Sequence, residues 1–456
     1  ITTAKSWKKI TPDAHFDWLN QRDESFENHM LIGSKNDSNK AIFDEFSLGV
    51  VTNRDAWCFN ASHETIAKNM TRLIDFYNQQ VTQFQKVHGN LTPKERKDAV
   101  NSFIDVDPTK ISWSRGLKQE LVRGEKFEFQ DECIVAAIYR PYSKQRLYFH
   151  RQLNEMVLHM PRMFPKNSGN MAIMIKGNWR GDGHIALMID DVACLQPDGG
   201  AQCFPLYYFD NAQEDGVKPL FPNTNTGSPN KRFAVTDHGL KHFQNFYKSV
   251  SATITKTDIF YYIYGLLHSS EYRERYKDNL SKELPRIPVV KEFEDFQAFS
   301  QAGRDLAHWH LDYETVASHP VTLEFTAGEK GPQSLNACKD KHFYVKKMKF
   351  GKTKDPDTKR NINDKTTVIY NNFITVKDIP IEAYDYVVNG KPAIEWVMER
   401  QAVTTDKKSG IVNDANLWAT ETMGNAAYPL ELLQRVITVS LETNKIVESL
   451  PALDID

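Results

Sequence analysis

At 456 residues, the chain is too long for one ordinary hydrophobic core and suits two or three domains of roughly 100–200 residues each. Hydrophobic residues make up 40% and charged residues 25%, which excludes a disordered or membrane-embedded chain and leaves a globular one. The net charge of −2 excludes an overall basic nucleic-acid coat, so any nucleic-acid surface has to be a local patch.

Residues 1–58 read as short strands and turns, ending in the run 49–57 (GVVTNRDAW). Ile66, Met70, Leu73, Ile74, Tyr77, Val81 and Phe84 then recur at three- and four-residue steps, which predicts a helix that Gly89 stops. Thr92-Pro-Lys-Glu95 has the form of a capping box with proline in the first turn, so a second helix starts at Pro93. Residues 60–123 are therefore expected to be a helical connector. Short β-type runs follow at 133–139, 146–150, 171–176, 184–189 and 204–209, separated by loops rich in Gly, Pro, Asn and Asp. Helices are predicted over 258–268 and 271–280, with Pro285 and Pro288 beyond them. The last third returns to strands at 321–326, 342–350 and 366–376. Three helices close it: one from Pro380 to a stop at Gly390, one over 393–402 and one over 431–450.

The five cysteines, Cys58, Cys133, Cys194, Cys203 and Cys338, are scattered, with no C-x-x-C spacing. That argues against a disulfide framework or zinc site and for a reducing, cytoplasmic setting. No apolar run approaches the ~18–20 residues of a membrane span, and no signal-peptide core is present. The chain opens at Ile1 and runs directly into Trp7 and Trp18, so it is expected to be a piece of a longer polypeptide.

Catalytic signatures are missing. An adenine-N6 methyltransferase needs a Gly-rich loop after a strand and an Asn/Asp-Pro-Pro-Tyr/Phe turn for the flipped base. Arg140-Pro-Tyr142 and Ser228-Pro-Asn230 carry the wrong residues for that turn. Gly351-Lys-Thr353 has the tail of a phosphate-binding loop, but Lys346 stands where the first glycine belongs. No H-E-x-x-H helix, G-x-S-x-G elbow or carboxylate–carboxylate–lysine cluster stands out, and Asp190-Asp191 reads better as a solvated turn than as a metal site. His308 and His310 are two residues apart and do not share a helix face, so they read as structural. No catalytic residue, metal ligand or cofactor site is expected in this chain.

What remains is a set of polar and basic segments. The stretch 341–360 (KHFYVKKMKFGKTKDPDTKR) concentrates positive charge, with Lys346, Lys347, Lys349, Lys352 and Lys354 at its centre. Lysines in such a patch neutralise phosphates without sequence preference, although an ordinary solvated hairpin has the same composition. Between two β runs, the loop 176–184 offers Lys176, Asn178, Trp179 and Arg180. Arginine clamps guanine, asparagine pairs with adenine, and tryptophan wedges or stacks; a glycine-rich turn around a packed tryptophan is the plainer alternative. Asn230, Lys231 and Arg232 end a polar loop over 223–232, and Lys407 and Lys408 sit in another over 406–414. Arg140, Lys144 and Arg146 around Pro141 suit an inter-domain hinge instead.

Several stretches, in order along the chain, resemble the C-terminal specificity region of type ISP enzymes, the single-polypeptide restriction-modification proteins. They are the runs 49–57, 139–142 (YRPY) with 147–149 (LYF), 202–207 (QCFPLY), 258–268 (DIFYYIYGLLH), 282–288 (KELPRIP), 386–391 (YVVNGK), 395–400 (EWVMER) and 409–414 (SGIVND). The resemblance implies an α/β fold of mixed α+β type: a helical connector, then an irregular mixed-sheet target-recognition domain with bracing helices. It implies that residues 1–58 are the tail of an adenine methyltransferase module, 59–125 the connector and 126–456 the recognition domain, with a division near 300–320. It further implies double-stranded DNA as partner, along with the methyltransferase, translocase and nuclease domains of a parent chain. The parent would use S-adenosylmethionine, ATP and Mg2+, while this chain holds none of them and is not itself a catalyst. Two other classes stay open on the residues alone: a protein-interaction scaffold without DNA contact, and a catalytic methyltransferase or nuclease fragment.

Overall fold

The structure, a computed structural model, describes residues 10–36, 40–177, 186–195, 200–210, 230–325 and 331–455. Helices and strands are mixed along the chain, the strands forming several small sheets that helices brace. No helix among the described residues is long and apolar enough to cross a membrane.

The connector begins at Ser62, whose hydroxyl accepts the Thr65 N–H (3.0 Å) and starts the helix His63–His88. The predicted stripe from Ile66 to Phe84 is its buried face, as an amphipathic helix on a core requires. The Thr92–Glu95 capping box starts the helix Pro93–Phe103. A third helix, Arg115–Arg123, ends on Gly124 at φ 87°. Arg54 explains part of the 49–57 run. It is buried and donates to the carbonyls of Ser112 (3.0 Å) and Leu153 and to the Ser114 hydroxyl (2.6 Å). It thereby ties the start of the third helix to the body, which meets the need of a buried guanidinium for acceptors.

Two four-stranded sheets form that body. The first has the order Ser47–Leu48, Ala201–Pro205, Ala172–Lys176, Ala186–Ile189 and is antiparallel throughout. Residues 172–175 and 186–189 are buried at every position, so neither face of their strands meets water. The second has the order Phe59–Asn60, Ser143–Tyr148, Ile134–Arg140, Val192–Ala193, the last pair parallel. Its Pro141–Tyr142 corner turns on Tyr142 at φ 54°. Tyr142 is buried and donates to the Tyr386 hydroxyl oxygen (2.9 Å).

The helices Lys256–His268 and Phe293–Leu311 pack together and cover the first sheet. A Cβ on Gly265 would stand 2.2 Å from the Phe299 carbonyl oxygen, and one on Gly303 1.9 Å from that of Tyr261. Only glycine permits so close an approach of two backbones. Tyr264 reaches the sheet, accepting the Met188 N–H (2.8 Å). His310 is buried between the Tyr264 hydroxyl (2.5 Å) and that of Thr443 (2.9 Å), while His308 is exposed and faces Asp312 (2.7 Å).

The C-terminal region corrects several boundaries. Its sheet has the order Thr322–Phe325, Ile374–Lys377, Asn361–Ile369, Lys349–Lys354. The strand expected over 342–350 instead begins at Lys349, because Asp340–Phe343 forms a helical turn that buries Phe343. The single strand expected over 366–376 is two strands. The Asn371 side chain reverses the chain between them, accepting the N–H groups of Phe373 (2.8 Å) and Ile374 (2.9 Å). No long helix follows Pro380. A short turn, Ile381–Tyr384, gives way to the hairpin Val387–Val388/Lys391–Pro392. Its Asn389 and Gly390 lie at φ 52° and 70°, the Asn-Gly hairpin turn. The helices Ala393–Arg400 and Tyr428–Glu448 close the chain, the latter packing on Phe293–Leu311.

Candidate nucleic-acid interface

The strands Lys349–Lys354 and Asn361–Ile369 form an antiparallel ribbon. At its base, Phe350 and Val368 pair and turn inward, and Phe350 meets Tyr384 (ring centroids 6.0 Å). The register slips between Phe350 and Gly351, a bulge that bends a ribbon away from its sheet. Beyond the bulge Lys352, Thr353 and Lys354 on one strand and Asn361, Ile362 and Asn363 on the other are all exposed. Lys352 Nζ donates to Asn363 Oδ1 (2.5 Å).

Lys346 and Lys347 precede the ribbon and are exposed. Their segment is fixed from below. Asn416 holds Val345 at both backbone groups, accepting its N–H (3.0 Å) and donating to its carbonyl (2.9 Å). The Val403 N–H donates to the Lys346 carbonyl (3.0 Å), and Tyr344 donates to Asp414 (3.0 Å). These bonds bring the hairpin Val403–Thr405/Val412–Asp414 beside the 341–360 stretch. Lys407 and Lys408 lie exposed in its turn. That turn is ordered by Asp406, which accepts the N–H groups of Lys408 (3.2 Å) and Ser409 (2.7 Å) and the Ser409 hydroxyl (2.7 Å). The Ser409 bonds hold the Asp406 carboxyl below the usual carboxylate range. Two basic segments some sixty residues apart by number (347 against 407) thus share one region. Ion pairs there, Lys365 with Glu395 (3.4 Å) and Lys391 with Glu399, use none of Lys346, Lys347, Lys349, Lys352 or Lys354.

The other candidates fall elsewhere. Lys176 ends the strand Ala172–Lys176 and donates to Asn389 (3.3 Å) in the Asn-Gly turn. Asn178, Trp179 and Arg180 lie outside the described residues. Asn230, Lys231 and Arg232 are in a strand, not a loop: Asn230–Phe233 pairs with Tyr207–Asp210. Arg232 spends its guanidinium on Asp44 (2.5 Å), Glu45 (2.8 Å) and Asp210 (3.1 Å), a network that Arg162 joins through Glu45 and Asp210 (2.7 Å each). Lys231 stands 3.7 Å over the Tyr207 ring. The basic stretch of the sequence ends at Arg360, one residue short of the paired strand that carries Asn361 and Asn363. The turn formers Asp355-Pro-Asp-Thr358 were the signal that a second strand follows.

The segments that carry parts of catalytic motifs have structural placements. Gly351-Lys-Thr353 lies inside a strand, and Thr367 packs under Gly351 (2.9 Å to a built Cβ). That is not the strand-to-helix loop of a phosphate cradle. Asp190 and Asp191 are not a bare turn, for Lys144 sits between them (3.3 and 3.1 Å) with Glu314 at 3.6 Å. These carboxylates outweigh burial and hold the Lys144 ammonium well above its ordinary pKa. Among the described residues no group of three or more His, Cys, Asp or Glu is placed to hold a metal ion. Arg146 of the YRPY hairpin stacks on Trp418 (5.1 Å) and donates to Thr422 (3.1 Å), so it braces the C-terminal region.

The sequence pattern of the type ISP C-terminal specificity domain matches residues 41–434. The chain belongs to this family. Three solved structures align with the specificity chain over nearly all of its length. One is a nuclease-deletion mutant of the type ISP restriction-modification enzyme LlaGI with a DNA substrate mimic. It is 34% identical, has a TM-score of 0.78, and the match covers 99% of this chain and 36% of that one. The ATP-dependent type ISP enzyme LlaBIII bound to DNA is 31% identical, with TM-score 0.79 over 98% of this chain and 26% of its own. The DrdV–DNA complex is 28% identical, with TM-score 0.77 over 99% and 41%. The specificity chain thus spans between about a quarter and two fifths of the length of these relatives. No curated protein sequence matches it.

Proposed function

We propose that this chain reads base sequence in double-stranded DNA on behalf of a type ISP restriction-modification enzyme. One observation carries the reading: exposed lysines of 346–354 and 407–408 share a region fixed by buried hydrogen bonds, in a chain whose net charge is only −2. Lysines presented this way neutralise phosphates and set the protein's register on the duplex. The DNA-bound relatives support the same partner. In this reading residues 1–58 end a methyltransferase module, 59–125 connect, and 126–456 recognise the target, splitting near 300–320. The recognised site presents one adenine to the methyltransferase, which flips it for N6 methylation. An unmodified site licenses translocation and cleavage by the parent's other domains. S-adenosylmethionine, ATP and Mg2+ serve those domains, in the cytoplasm. This chain is then a reader and not a catalyst.

The test is a gel shift with this chain and a mixed-sequence duplex across a salt series. Affinity is expected to fall steeply with salt. Lys347→Ala should weaken binding to all sequences about equally and make the salt slope shallower by about 1. Absence of binding at low salt would instead favour an interaction scaffold. Tight calorimetric binding of S-adenosylmethionine by the chain alone would favour a catalytic fragment.

A further inference from the structure

Phosphate contact supplies affinity but no discrimination. Something on the chain has to meet base edges, and the part of the ribbon beyond its bulge is exposed to do so. An antiparallel pair of strands is marginal without a covering layer, yet residues 352–354 and 361–363 are exposed on both sides. The register decides what each side presents. Lys352 lies opposite Asn363, and Lys354 opposite Asn361. Directly opposed residues share a face, and alternate residues point the other way. One face therefore carries two lysines and two asparagines, and the other carries Thr353 and Ile362.

Two of the ribbon's three carboxylates are taken up within it, and the third, Asp357, is exposed at its tip. Asp355 is occupied by the turn, accepting the N–H groups of Asp357 (3.0 Å) and Thr358 (2.7 Å). Asp364 accepts the Thr366 N–H (3.0 Å) and hydroxyl (2.6 Å). The tip adds Lys359 and Arg360, both exposed, where a ribbon entering a groove passes the phosphate backbone. Two strands about 5 Å apart with their side chains fit the major groove, which is about 12 Å wide and admits a β-ribbon. Asparagine amides and lysine ammonium groups are among the side chains that read base edges there.

We infer that the ribbon enters the major groove of the target and that its Lys352, Lys354, Asn361 and Asn363 face reads base pairs. This rests on the DNA-recognition reading above and assigns that function to one surface.

The test is selection of binding sites from a pool of randomised duplexes, with the parent chain and with variants. The double variant Asn361→Ala, Asn363→Ala should relax one or two positions of the consensus, by about 10-fold in preference at each. The remaining positions should stay as in the parent. Thr353→Ala with Ile362→Ala, on the opposite face, should select the parent consensus. Thermal unfolding of each variant checks that the body is intact, and both pairs are exposed enough to leave it so. An unchanged consensus in the asparagine variant overturns the assignment of the ribbon while leaving DNA recognition standing. Equal relaxation by the Thr353/Ile362 variant overturns the choice of face. If the parent chain selects no consensus at all, the recognition reading fails and the ribbon with it.

Discussion

The sheet around Ala172–Lys176 and the ribbon around Lys349–Lys354 are both antiparallel, and they are built to opposite demands. In the first, Ala172, Ile173, Met174 and Ile175 are all 0% exposed, so each position is held by packing on one side or the other. In the second, every residue from 352 to 354 and from 361 to 363 is exposed, so burial does not dictate its identity. The contrast teaches where to look for function in a chain that lacks catalytic motifs. A strand buried on both faces is committed to the fold. A strand pair bare on both faces is free to be chosen for what it touches.

The comparison breaks first at the buried end. Ile173→Ala should cost about 2–5 kcal/mol, the range for deleting a large aliphatic side chain from a core. Urea denaturation measures it, and a loss under half a kcal/mol would mean that the sheet is not the centre of the body. A smaller effect is expected from acid. Burial pushes His150 and His268 down to about 4, and His310 well below its ordinary value. The unfolded chain takes up those protons near pH 6.5 while the folded chain refuses them. Stability is therefore complete above that pH and falls as pH drops below it. At pH 5.5 the loss is about 1 kcal/mol for each of His150 and His268. Carboxylates with lowered pKa values lose their contribution only at more acidic pH, and the raised Asp44 and Asp191 shift stability the opposite way, so a fall in stability from pH 7.5 to 5.5 reports the histidines. An unfolding midpoint that rises on going to pH 5.5 contradicts the burial.

The same contrast explains what was legible beforehand. The connector stripe and the β runs of the body announce themselves because burial writes a period into the residues: Ile66 to Phe84 at helical steps, 171–176 as an unbroken apolar run. Phe293–Leu311 escaped although Phe296, Phe299, Gly303, Leu306 and His310 follow the same steps. Gly265 and Gly303 hide that contact, since two backbones touch there without large side chains. The ribbon was legible as charge but not as structure. Its exposed strands carry no apolar alternation, so the sequence pattern puts their starts at 342 and 366 where the structure has Lys349 and Asn361. Arg232 shows the reverse error. Its chemistry suits DNA, but Asp44, Glu45 and Asp210 come from 22 or more residues away, and no local pattern reveals them. Residues 178–180 lie outside the described part, so the candidate loop there stands as a proposal alongside the ribbon.

The smallest expected effect is the sharpest test of the contrast. Gly351 and Asp364 are register partners, so replacing 352–363 with a two-residue Asn-Gly turn closes the ribbon at its bulge without straining the sheet. Phe350 and Val368, which anchor the base, are retained. The segment removed is exposed apart from Asp355, which is half-buried only in its own turn. Such changes lie within about 0.5 kcal/mol, so Tm should move by no more than ~2 °C. The shortened chain should still bind mixed-sequence DNA through Lys346, Lys347, Lys407 and Lys408, with a shallower salt slope, because four cations of the ribbon are gone. Its preference among sequences should weaken at the same positions that depend on Asn361 and Asn363. A drop of several degrees in Tm would show that the ribbon holds the body together, and the division between a committed sheet and a free one would then be false.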